Sequence, residues 1–78
     1  DKKSVIISWN IKQTGISKVM IYKSSEANEF ALIQCAKFDQ KQIFDHAVKQ
    51  GYTYHYFVQG VDSSGKKLKI GKTFSITL

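Results

Sequence analysis

Tyr52-Thr53-Tyr54-His55-Tyr56-Phe57-Val58-Gln59-Gly60-Val61 is the stretch on which the fold turns. It is built almost wholly from aromatic and β-branched residues, which pack well on a pleated surface. Side chains on a strand alternate between its faces. Tyr54, Tyr56, Val58 and Gly60 therefore share one side, and Thr53, His55, Phe57, Gln59 and Val61 share the other. Asp62-Ser63-Ser64-Gly65 follows as a hairpin turn, because Asp and Ser can satisfy backbone donors and Gly65 tolerates a positive φ. Leu68 to Leu78 returns as a partner strand, with Phe74, Ile76 and Leu78 on one face and Thr73, Ser75 and Thr77 on the other. Gly71 within it marks a bulge or bend.

The same alternation extends toward the N-terminus. Val5, Ile7 and Trp9 share a face of a first strand, and Ser8 and Asn10 lie opposite. The segment from Ile11 to Lys18 reads as a loop, and Val19-Met20-Ile21-Tyr22-Lys23 as a strand with Val19 and Ile21 on one side. A polar turn over Ser24 to Glu29 leads to a short strand, Phe30 to Ala36, and Gln42 to Asp45 forms another. No segment sustains a helical apolar stripe; Ser25 to Lys37 comes nearest and lacks one. Six or seven short strands separated by polar turns predict an all-β sandwich or barrel.

The 78 residues make one small domain, and Cys35, the single cysteine, leaves it without a disulfide. No apolar run approaches membrane-span length, so no membrane insertion is expected. The chain starts at Asp1 with no charged-then-apolar leader, which reads as a mature product or a piece of a longer, multidomain chain. The net charge is +6, and all 12 basic residues are lysines. Without arginine there are no bidentate forks to read guanine edges or grip phosphates. The lysines are dispersed except for Lys66, Lys67, Lys69 and Lys72, so nucleic-acid or anionic-surface binding is the third choice and a solvated surface the simpler reading.

The order of landmarks resembles the fibronectin type III family over nearly the whole chain. The residues that carry the likeness are Ser4-Val5-Ile6-Ile7-Ser8-Trp9-Asn10, with its terminal Trp, and Val19-Met20-Ile21-Tyr22-Lys23, close to a form common in bacterial members. Phe44-Asp45 and Val48-Lys49-Gln50-Gly51 follow, then Tyr52 to Asp62 with its Ser63-Ser64-Gly65 turn. The resemblance implies an immunoglobulin-like antiparallel β-sandwich with Trp9, Ile21, Phe44, Tyr54, Tyr56 and Val58 in its core. It also implies that Tyr54 acts as a corner tyrosine, its hydroxyl bonded to backbone upstream. Two departures stand out. The family's first strand, often proline-rich, has no counterpart in the few residues before Val5, so the strand Val5 to Trp9 is expected to keep an underprotected edge. An arginine-containing adhesion tripeptide is excluded by composition.

Little in the chain looks catalytic. His46 and His55 are the only histidines and have no metal-site spacing, and Cys35 has no cysteine partner. Asp45 and His46 are adjacent and so face opposite ways on a strand, and Asp45 is read as hydrogen-bonding locally at a strand end. No nucleophile, base and oxyanion donor can be aligned, so neither an enzyme nor a cofactor is expected. Cys35, beside Ala36, reads as buried filler rather than a reactive thiol. The functional candidate is an outward patch. If Val19, Ile21, Tyr54, Tyr56 and Val58 point inward, then Met20, Tyr22, His55 and Phe57 share the opposite face. Against it stands the reading that stems such as those of Lys23 or Lys72 cover these side chains. The expected role is a non-catalytic spacer or interaction module of a secreted or cell-surface bacterial protein, its partners being neighbouring domains or another protein. A carbohydrate-binding accessory module, with Tyr22 and Phe57 as platform, is the alternative.

Overall fold

The fold is described from a computed structural model, over residues 4–10, 14–25, 29–70 and 73–78, with the side chains of 69 and 70 excepted. The expected features at Gly71 and Lys72, and parts of the loops at 11–13 and 26–28, lie outside these residues. The strands are β1 (Val5–Ser8), β2 (Lys18–Ser24), β3 (Ala31–Lys37), β4 (Gln42–Asp45), β5 (Thr53–Val61), β6 (Lys67–Ile70) and β7 (Phe74–Thr77). One short 3₁₀ turn, Phe38–Gln40, precedes β4 and is the only helical element among the described residues.

The strands form an immunoglobulin-like antiparallel β-sandwich with unequal layers. β1 and β4 make a two-stranded sheet, and β3-β2-β5-β6 run in that order through a five-stranded sheet in which β7 also pairs with β5. β6 and β7 take the two ends of β5: Gln59 and Val61 pair with β6, and Thr53 to Tyr56 pair with β7. The turn between β5 and β6 closes as its residue types require. Asp62 Oδ1 accepts from the amides of Ser64 and Lys66 and from the Ser64 hydroxyl, and Gly65 adopts φ +93°. These hydrogen bonds, the Ser64 hydroxyl's foremost, hold the Asp62 carboxyl below its usual pKa.

Period-two alternation fills the space between the layers. Val5, Ile7 and Trp9 from the smaller sheet meet Val19, Ile21, Tyr54, Tyr56 and Val58 from the larger, with Ile43 beside them. Burying such side chains is the main driving force available to a domain this small. Trp9 is buried and its indole Nε1 donates to the Phe38 carbonyl at 2.8 Å, which satisfies its one polar atom. The Tyr54 hydroxyl accepts from the Lys49 amide at 2.9 Å and fixes the corner before β5. Gly60 also faces inward, where Ile16 packs so closely that a Cβ would stand 3.0 Å from its Cδ1.

Two expectations are corrected. Phe44 is not core: it is 48% exposed, because Ile43 and Asp45 take the inward positions of β4 and alternation turns the residue between them outward. It pairs across the sheet with Ile6, also exposed, and its ring stacks on His46. Cys35 is exposed rather than buried, because Ala36 fills the inward place beside Val19 and β3 is the edge of its sheet.

Among the described residues β1 hydrogen-bonds to β4 along one edge only. On β7 of the larger sheet Ile76 remains 37% exposed although it pairs with buried Tyr54. Amide hydrogen exchange should therefore show alternate protection across Val5–Ser8, with only the amides directed at β4 slowed, against continuous protection across β2. Uniform slow exchange through Val5–Ser8 would contradict the open edge.

Candidate interaction surface

The larger sheet presents two faces of different chemistry. β2 is central, paired with β3 on one side and β5 on the other. Since Ile21 and Val58 are inward, the pair Tyr22 and Phe57 is outward, in register with each other and with Leu32 of β3. Their rings lie 4.6 Å apart and 12° from parallel, and the edge of Phe30 meets Phe57 at 5.1 Å and 62°. Such ring pairs contribute about 0.5–1.5 kcal/mol beyond their buried area.

Met20 adjoins this cluster, between Cys35 and Gln59. On the other side His55 Nδ1 makes a 2.6 Å hydrogen bond with the Ser75 hydroxyl. Met20, Tyr22, His55 and Phe57 are all half-buried, whereas Leu32 is 46% exposed. The four residues chosen from the sequence do share one face, and Phe30 and Leu32 extend it. Leu32 lay hidden because a bulge between the pairs Ile21–Gln34 and Tyr22–Leu32 inserts Ile33 and reverses the parity of β3.

Lys23 does not cover this patch. It shares the inward face with Ile21, and its ammonium reaches across to Asp45 Oδ2 at 2.7 Å and to the Ala47 carbonyl at 2.6 Å. Asp45 is buried and also accepts from the Tyr56 hydroxyl at 2.7 Å and from the Ala47 amide at 3.0 Å. The Ala47 contact is the local strand-end bond expected of Asp45; the rest joins the two sheets. The Lys23 ammonium stands 4.7 Å from the centre of the Tyr54 ring. Burial alone would raise the Asp45 pKa. The hydrogen bonds from Lys23, Tyr56 and the Ala47 amide, with the Lys23 charge, outweigh it and hold the carboxyl below its usual value. The Tyr56 hydroxyl is pushed well above its ordinary pKa, first by burial and then by the bond to Asp45 and its charge.

Other sequence candidates stay apart. His46 is exposed while its neighbour Asp45 is buried, so they form no acid–base pair. Among the described residues no group of three His, Cys, Asp or Glu is disposed to hold a metal. Lys66 and Lys67 are exposed beside the β5–β6 turn, and the remaining two members of that cluster, Lys69 (its side chain) and Lys72, lie outside the described residues. A shallow hollow of about 440 Å³ opens beside the Tyr54 corner, lined by His46, Val48, Lys49, Tyr52 and Ser25 among others. No family model and no curated protein matches the chain.

Tyr56→Phe keeps the ring and removes only the hydroxyl, so it should lower unfolding stability by roughly 1.5–3 kcal/mol, read from urea midpoints at constant slope. The pH dependence has a fixed sign. Between the depressed folded pKa of Asp45 and its unfolded value near 3.8 the unfolded chain binds the extra proton, so stability falls as pH drops through that window. Above about 10, the folded state keeps the Tyr56 proton that the unfolded chain releases, and stability falls as pH rises. Asp45→Asn should flatten the acid limb; an acid limb as steep as the wild type would mean that Asp45 does not carry it.

Proposed function

We propose that this chain is a fibronectin type III-like, non-catalytic interaction module, and that the outer face of its larger sheet docks a protein partner. The observation that carries this reading is the Tyr22–Phe57–Phe30 cluster with Leu32 beside it, an apolar surface on a face that no other layer covers among the described residues. Aromatic residues and methionine are enriched in the centres of protein interfaces. The family reading is supported by the layer arrangement, by Trp9 buried between the sheets and by the Tyr54 corner. The setting in a larger, secreted or surface-exposed bacterial protein rests on the sequence resemblance alone, which is analogy at the level of fold.

A sugar platform on this face is disfavoured. Stacking a sugar requires an open ring face, and Tyr22 and Phe57 spend facing sides on each other. The hollow beside Tyr52, which is itself 54% exposed, is the place that favours carbohydrate as a second reading.

Selection of a displayed random-peptide library on the folded domain tests the leading reading. Enriched clones should lose binding at least about tenfold on Phe57→Ser or Tyr22→Ser, as expected for residues at the centre of an interface. Clones indifferent to both changes would remove the face from consideration. Saturable binding of a polysaccharide that is abolished by Tyr52→Ser would instead favour the second reading.

A further inference from the structure

The outer face carries charge as well as rings. Lys18 sits directly opposite Lys37 on β3 and opposite Val61 on β5, and Val61 sits opposite Lys67 on β6. Residues in register share a face, so Lys37 and Lys18 form a directly opposed pair, two same-face pairs removed from the Tyr22–Phe57 stack. Lys67 continues the row beyond Val61, which is buried and lies at a register shift. All three lysines are exposed, and no strand residue placed on this face is acidic. The ion pair found among the described residues, Lys23–Asp45, is on the opposite face. Like charges directly opposite one another destabilise a sheet. The row therefore holds repulsion that the folded chain does not itself relieve.

The same end of the sheet offers unpaired backbone. β3 bonds to β2 alone among the described residues, and every residue from Ala31 to Cys35 is exposed. Leu32 and Ile33, at 46% and 40%, are apolar side chains on a strand edge that ends in a single charge, Lys37. An open edge of this length is a template for another strand. A second copy of the chain is a poor occupant, since each molecule carries +6 and would bring its own Lys37 to the contact.

Taking the interaction reading above as its premise, we infer that the partner supplies an extended acidic segment, which adds to the β3 edge as a strand. Of its side chains on the outer face, the carboxylates at one end lie along Lys37 and Lys18, and the apolar ones at the other end lie against Leu32 and the aromatic cluster. Main-chain bonding supplies affinity and the side chains on alternate positions supply selection, as in other cases of strand addition.

Cys35, exposed on β3, provides a native reporter, because a strand seated there slows its alkylation. The probe is a peptide of roughly eight residues, long enough to span β3, with glutamate at the alternate positions that face Lys37 and valine and phenylalanine at the positions of that same face beside Leu32. It should protect Cys35 saturably. The concentration for half-protection should rise roughly tenfold between about 0.05 and about 0.5 M salt as charges are screened. Lys37→Glu should raise it by roughly five- to tenfold, and that variant relieves repulsion and so keeps the fold. Methylating the peptide amides along one edge should abolish protection, whereas methylating the other edge should not.

Equal protection by an oligothymidylate, indifferent to Leu32→Ser, would mean binding of any polyanion and would overturn the proposal. So would protection that grows with protein concentration alone, which is self-association, or a glutamate peptide no better than its lysine counterpart. If uncharged peptides bind in a Phe57-dependent way while acidic ones gain nothing, the acidic-strand inference fails and the interaction reading stands. If neither Phe57→Ser nor Lys37→Glu alters any peptide's binding, both fail.

Discussion

The contact between Lys23, Asp45 and Tyr56 is the constraint around which the sandwich is arranged. Asp45 belongs to the smaller sheet, and Lys23 and Tyr56 are paired neighbours in the larger one. A buried carboxylate is tolerated only when its charge and its lone pairs are met. Here both oxygens are used: Oδ2 by Lys23 and Tyr56, and Oδ1 by the Ala47 amide. No buried side-chain polar atom among the described residues is left without a partner. The hydrophobic driving force is non-directional, whereas this set of bonds is directional. It therefore sets how β4 sits over β2 and β5, and it decides which way each residue of β4 faces.

From that choice the outer surface of the smaller sheet follows. With Asp45 and Ile43 inward, Phe44 is outward, and its cross-strand partner Ile6 goes with it. The layer is only two strands wide and faces five. It covers the middle of the larger sheet, where Ile21, Tyr56 and Val58 are sealed, and leaves the flanks less protected. At one flank Ile76 of β7 is part-exposed, and at the other β3 is exposed along most of its length. Unequal layers thus leave both flanks of the larger sheet part-open.

Where each side chain points was legible in the sequence as far as alternation was clean. Thr53 to Val58 separates into two faces, so the inward Tyr54, Tyr56 and Val58 and the outward His55 and Phe57 could be read directly. Val58 to Val61, by contrast, are all buried, and a register shift lies between Gln59 and Val61. Phe44 enters the expected core through the family resemblance, whereas the parity of its strand turns it outward. The needed signal was present: Lys23 lies two residues after inward Ile21, and Asp45 two after inward Ile43. Opposite charges at inward positions of two strands point to a buried pair. β3 was less readable for a physical reason. A bulge at Ile33 shifts its register, and a strand at an edge has no second neighbour to enforce one buried face. Cys35 and Leu32 were therefore misplaced or overlooked together, and with them the edge itself. The lysine row needed the pairing register, because Lys18, Lys37 and Lys67 are far apart in the chain and meet only through hydrogen bonds between strands.

The same pairing bears on why the outer face holds rings at all. A face meant only for solvent is served best by charged and polar residues, and the exposed Lys66 and Lys67 beside the β5–β6 turn are of that kind. Tyr22, Phe57 and Phe30 instead shield one another by stacking and edge contact, which lowers the apolar area open to water without removing it. The lysines occupy the rows beyond. Rings at the middle with cations beyond them suit a partner that is apolar at its own centre and acidic at its rim. The cations also oppose the pairing of two identical edges. On the proposal of an acidic partner, one row of charge would both oppose the pairing of two identical edges and attract a segment of opposite sign.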